Sequence, residues 1–82
     1  MEMEYKWKVV KAMMDGFYRT DFFYSDESLM DFIEMELESY NNKGYCSYNG
    51  GSMSELIEQA CRVGKEIVKE YGVEGIIEIS KF

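Results

Sequence analysis

Six carboxylates fall within fifteen residues of this chain: Asp26, Glu27, Asp31, Glu34, Glu36 and Glu38 in DESLMDFIEMELESY, residues 26 to 40, with no Lys or Arg among them. Carboxylates so crowded can serve as acid/base pairs, as ligands of a hard cation, or as an electrostatic lure for a basic surface. No Asp or Glu stands in a recognisable catalytic pair or metal motif, so the electrostatic use is the one the spacing supports.

The other reactive groups are few. Without a histidine there is no Ser-His or Cys-His dyad, no Cys/His zinc site and no side chain that titrates unperturbed near neutral pH. Cys46 and Cys61 match neither a CxxC pair nor a secreted disulfide framework and are read as reduced structural thiols. Cys46, in a loop, would need Lys43 or a helix end to activate it and is expected to be inert. No catalytic residue, cofactor or metal is expected, and the chain is read as a non-enzyme.

Sixteen acids against nine bases give a net charge of −7. Seven of the acids, Asp21, Asp26, Glu27, Asp31, Glu34, Glu36 and Glu38, lie between Thr20 and Asn42, where there is no base, so the remainder is neutral. A chain charged in this way has no general affinity for nucleic acid or anionic membrane. With no long apolar run, it is expected to be a cytoplasmic protein without export signal or membrane span. Its 82 residues fit one domain, and 46% hydrophobic residues can supply one small core. In size and charge it resembles small acidic inhibitors carried by phages and mobile elements, including some anti-CRISPR and anti-restriction proteins, a likeness of type that no motif carries.

The elements that must hold these residues follow from periodicity. Asp15-Gly16 between YKWKVVKAMM and FYRTDFFY is a hairpin signal, predicting strands at about 4 to 14 and 17 to 24. A two-residue turn would pair Met14 with Phe17, Val9 with Phe22 and Trp7 with Tyr24. Tyr5, Trp7, Val9, Met13, Tyr18, Phe22 and Tyr24 would then face the core, and Lys6, Lys8, Val10, Ala12, Met14, Phe17, Arg19, Asp21 and Phe23 the other side. Leu29, Phe32, Ile33, Leu37 and Tyr40 recur at helical spacing behind a Ser25 cap, predicting a helix over 26 to 41 with Tyr24 and Leu29 placed as a hydrophobic staple. Ser52 and Glu55 form an S-x-x-E capping box for a second helix ending at Tyr71, with Gly72 as its left-handed cap. Its expected buried stripe is Met53, Ile57, Ala60, Cys61, Gly64, Ile67, Val68 and Tyr71, and Gly64 implies the close approach of another element. The segment VEGIIEISKF reads as a third strand with Ile77 and Ile79 inward and Glu74 and Glu78 outward, able to answer Lys6 and Lys8. The predicted fold is an α+β two-layer ββααβ domain, a three-stranded sheet with two helices packed on one face.

On the first helix, Glu27, Asp31, Glu34 and Glu38 fall in one narrow stripe opposite the apolar face. Glu36 falls among the apolar residues instead and needs a partner or a raised pKa, with a structural salt bridge or a side chain snorkelling at the edge of the core as the expected account. The loop 41 to 52, NNKGYCSYNGGS, is long and rich in recognition residues, with Tyr45 and Tyr48 as candidate anchors. Asn49-Gly50-Gly51-Ser52 looks like a phosphate cradle but lacks the Lys-Ser/Thr that follows one, and Glu55 and Glu58 would repel an anion.

The reading is a small acidic protein-binding module that presents Glu27, Asp31, Glu34, Glu38, Tyr45 and Tyr48 to a basic surface, for example that of a nucleic-acid-binding protein, as an inhibitor or partial DNA mimic. Full mimicry would also need Asp21, Asp26 and Glu36, because four charges over roughly 16 Å of helix are sparser than a DNA strand at about 3.4 Å per charge. Two alternatives differ in class: an RNA or single-stranded DNA binder using Phe17, Phe23, Arg19, Lys6 and Lys8 on the sheet, and a homodimeric structural or regulatory protein.

Overall fold

Asp15-Gly16 reverses the chain, but in a loop one residue longer than a two-residue turn. In the computed structural model, which describes residues 4–82, β1 (Trp7–Ala12) and β2 (Tyr18–Phe23) are antiparallel. Met13 N–H donates to the Phe17 carbonyl at 2.8 Å, and Gly16 takes the left-handed region at φ 89°. Met14, Asp15 and Gly16 therefore form a three-residue loop whose glycine supplies the positive φ. Trp7 consequently faces Phe23 and Val9 faces Asp21, not Tyr24 and Phe22. A slip of one residue exchanges the two faces of β2. Trp7 and Val9 are buried as expected, but Tyr5, Tyr18, Phe22 and Tyr24 stand exposed, and Phe23 turns inward with its ring 5.1 Å from that of Phe32. Tyr24 stacks on Tyr5 at 4.4 Å, outside the buried cluster that holds Leu29.

Helix α1 (Asp26–Asn42) begins where Ser25 accepts the Ser28 N–H, and it buries Leu29, Ile33, Leu37 and Tyr40. Helix α2 (Met53–Tyr71) starts at the reciprocal Ser52–Glu55 box and ends on Gly72 at φ 65°. Its buried face is Leu56, Ala60, Val63, Gly64 and Ile67. That face is rotated from the expected stripe, because Ala60 and Gly64 mark its centre without saying which flank is covered. Met53, Ile57, Cys61 and Val68 form its half-buried border, and Tyr71 is exposed with its ring 4.9 Å from that of Tyr45.

Strand β3 (Gly75–Lys81) completes an antiparallel sheet of order β2-β1-β3, covered on one face by the helices. Val10 faces Glu78 while Lys11 faces Ile76, so Ile77 is the extra residue of a bulge. The bulge puts Ile76, not Ile77, fully into the core, and Ile79 packs against it. Gly64 meets this strand at the distance its missing side chain allows, a Cβ there falling 1.9 Å from the Ile76 carbonyl oxygen. Lys8 answers Glu78 at 3.8 Å, whereas Lys6 pairs with Asp26 at 3.0 Å.

The bulged strand is tied to α1 by one buried bond, the Ile76 N–H donating to the Tyr40 hydroxyl at 3.0 Å. Tyr40→Phe leaves that amide without a partner and should cost about 1–3 kcal/mol in urea unfolding. Burial, foremost, and the charge of Glu36 push the Tyr40 hydroxyl well above the usual phenol range, against the opposing pull of the Ile76 amide. Below about pH 10 Tyr40 is neutral in folded and unfolded chains alike. Above it the unfolded chain ionises first, so stability falls as pH rises. The stability gap between parent and Tyr40→Phe should therefore be constant from pH 7 to 9 and narrow toward pH 11. A gap that widens there would refute the assignment.

Candidate functional site: the acidic edge of the first helix

With its apolar face on the core, α1 must turn the opposite face to water. Glu27, Asp31, Glu34 and Glu38 are all exposed, and among the described residues none of them makes an ion pair. Glu27 with Asp31, and Glu34 with Glu38, are like charges four apart, each costing roughly 0.2–0.5 kcal/mol in helix stability. No basic residue in the last turn compensates the helix dipole near Glu38.

The three other acids of the segment are neutralised within the fold. Asp26 accepts the Trp7 indole N–H at 2.7 Å and the Lys6 ammonium at 3.0 Å, and these two bonds hold its carboxyl below the usual range. Glu36 meets Lys11 at 2.6 Å, and Asp21 lies 3.4 Å from Arg19. Only four of seven charges are thus free, too few for the continuous phosphate ladder that full mimicry of a strand requires.

The loop folds its aromatics back on the domain. Tyr45, Cys46 and Tyr48 pack against the core, and the Gln59 amide donates to the Ser47 carbonyl at 2.9 Å. Tyr48 comes to rest beside the acidic stripe, where burial, then the charges of Glu34 and Glu38, raise its hydroxyl above the ordinary value. The structure therefore joins Tyr48 to the C-terminal half of the stripe, while Tyr45 is turned to Tyr71. Met35, 70% exposed, borders the same carboxylates on the helical wheel. Its place on the wheel is the one sequence signal for an apolar contact within the acidic edge, and a weak one, because single exposed apolar residues are common.

Elsewhere the chemistry is muted. Burial pushes both thiols up, Cys46 and Cys61 being half-buried and free. At the start of α2 the Glu55 carboxylate takes the Ser52 N–H, the place an anion would occupy. Among the described residues no three His, Cys, Asp or Glu side chains gather as metal ligands. A shallow groove of about 510 Å³ runs along the outside of α2 over Ile57 and Cys61, rimmed by charges of both signs. The bases invoked for nucleic-acid binding all have carboxylate partners, Lys6 with Asp26, Lys8 with Glu78 and Arg19 with Asp21, and Phe23 faces the helices. Among the described residues no helix is long and apolar enough to cross a membrane.

Compared with known proteins, the chain matches no family model, no curated protein and no solved structure.

Proposed function

We propose that the protein is a non-enzymatic binding module that docks the α1 edge onto a basic protein surface. Glu27, Asp31, Glu34 and Glu38 supply the attraction, and Tyr48 and Met35 supply contact area beside them. The observation that carries this reading is that all four carboxylates are exposed and, among the described residues, unpaired in a helix whose other acids have partners. A nucleic-acid-binding protein is the partner class that fits best, since its basic groove accepts anionic oxygens, and an edge spanning a few phosphate positions would make the module an inhibitor.

The test is a pull-down at low and moderate salt, with and without nuclease, comparing the parent with a Glu27→Gln, Asp31→Gln, Glu34→Gln, Glu38→Gln variant. A basic protein captured after nuclease treatment, released by salt and lost to the variant is the expected result. Removing the two like-charge pairs relieves strain in α1, so loss of capture is not loss of fold. Equal capture by both chains refutes the docking edge.

A further inference from the structure

Beyond the acidic edge, the outer edge of β2 is built to pair with itself, and we propose that the protein forms a two-fold dimer through antiparallel β2–β2 pairing centred on Thr20. In the sheet order β2-β1-β3, β2 has a neighbour on one side only among the described residues. Its pairing with β1 is unbroken over six residues, and the chain has no proline to blunt the edge. The opposite edge, β3, carries a bulge.

Backbone geometry restricts the register. The carbonyls of Phe17 and Phe23 both accept from the β1 side, from Met13 and Lys6. Along an unbroken antiparallel strand these groups alternate, so the odd-numbered residues bond to β1 and the N–H and C=O of Tyr18, Thr20 and Phe22 point outward. A second β2 can therefore add only with even-numbered residues opposite even-numbered ones. Of the registers that obey this and overlap well, centring on Arg19 or Asp21 opposes like charges. Centring on Thr20 sets Arg19 opposite Asp21 of the second copy, twice, and Tyr18 opposite Phe22, twice. In the sequence FYRTDFF, residues 17 to 23, aromatics and charges are thus mirrored about Thr20 with the signs complementary.

Two further observations agree. Among the described residues Asp21 Oδ2 is buried without a hydrogen-bond partner, and its other oxygen holds Arg19 only loosely, at 3.4 Å. In the dimer each Asp21 gains a second guanidinium at a non-hydrogen-bonded position, where opposed side chains come closest. Tyr18 is also 70% exposed, and its pairing with Phe22 would extend the open-face aromatic cluster that Phe22 forms with Tyr5. The result is a closed, isologous six-stranded sheet.

Sedimentation equilibrium at about 0.15 M salt, where repulsion between the acidic chains is screened beyond roughly 8 Å, tests this directly. The parent should sediment as a dimer at micromolar to sub-millimolar concentration. Arg19→Asp and Asp21→Arg should each weaken self-association at least about tenfold by opposing like charges. An equimolar mixture of the two variants should recover the dimer, since each then meets the opposite sign. In the parent, exchange of the Tyr18, Thr20 and Phe22 amides should slow as concentration rises. A parent that stays monomeric throughout, a dimer that leaves those amides unprotected, or folded variants that fail to associate when mixed would each overturn the proposal.

Discussion

Gly64→Ala should leave the chain without a cooperative thermal transition. In an isolated helix the substitution would be favourable by about 1 kcal/mol, because alanine is the better helix former. Here the new Cβ would fall 1.9 Å from the Ile76 oxygen and 2.7 Å from its carbon and nitrogen, all of them backbone atoms held in the sheet. Relief requires α2 to lift away from β3, which strips cover from Ile76, Ile67 and Leu56 together. It also strains the Ile76 bond to Tyr40. A loss above about 4 kcal/mol is expected of such an overpacked contact, against a total stability of roughly 5–15 kcal/mol that is small in so short a chain. Gly72→Ala is the control, because it is strained by φ 65° but meets nothing within 4 Å, and it should cost only about 1 kcal/mol. Circular dichroism melts distinguish them. A Gly64→Ala chain melting within a few degrees of the parent would show that the helix–strand contact has slack.

The contrast between elements shows what the sequence makes legible. Both helices announce their starts through side-chain to backbone bonds made within three residues, Ser25 with Ser28 and the Ser52–Glu55 box, and α2 announces its end through left-handed Gly72, whose N–H donates to the Val68 carbonyl; these signals are local. Gly64 was readable for the same reason, as a costly residue that demanded compensation. The β-strands could be located but not aligned. One additional loop residue at Met14 and one bulged residue at Ile77 decide which side chains go inward, and both are settled by tertiary packing. Trp7 and Val9 lie inward in either register, whereas Phe22 and Phe23 change places. The acidic stripe was legible as a stripe because it depends on helical geometry alone. That Tyr48 would lie beside it, and Tyr45 beside Tyr71, depends on how the loop folds back, for which no short-range pattern exists.

Glu36→Ala should cost about 2–4 kcal/mol, the second largest effect expected, and its partner explains why. Lys11 and Glu36 lie 2.6 Å apart with side chains only 15% exposed, so both charges have lost most of their water. Removing the carboxylate leaves an ammonium largely desolvated with nothing to accept its protons, a penalty that exceeds the net worth of the pair itself. The residual exposure lets Lys11 recover some hydration, which keeps the figure below that of a fully enclosed pair. Replacing both residues, Lys11→Met with Glu36→Met, removes the stranded charge and should return the chain to within about 1 kcal/mol of the parent. Urea unfolding of the parent, Lys11→Met, Glu36→Met and the double variant closes a cycle whose coupling energy isolates the pair. A cost below about 0.5 kcal/mol for Glu36→Ala would place the pair with ordinary surface bridges. A double variant as unstable as either single one would mean that the ion pair itself, and not the avoidance of an orphaned charge, holds α1 over β1.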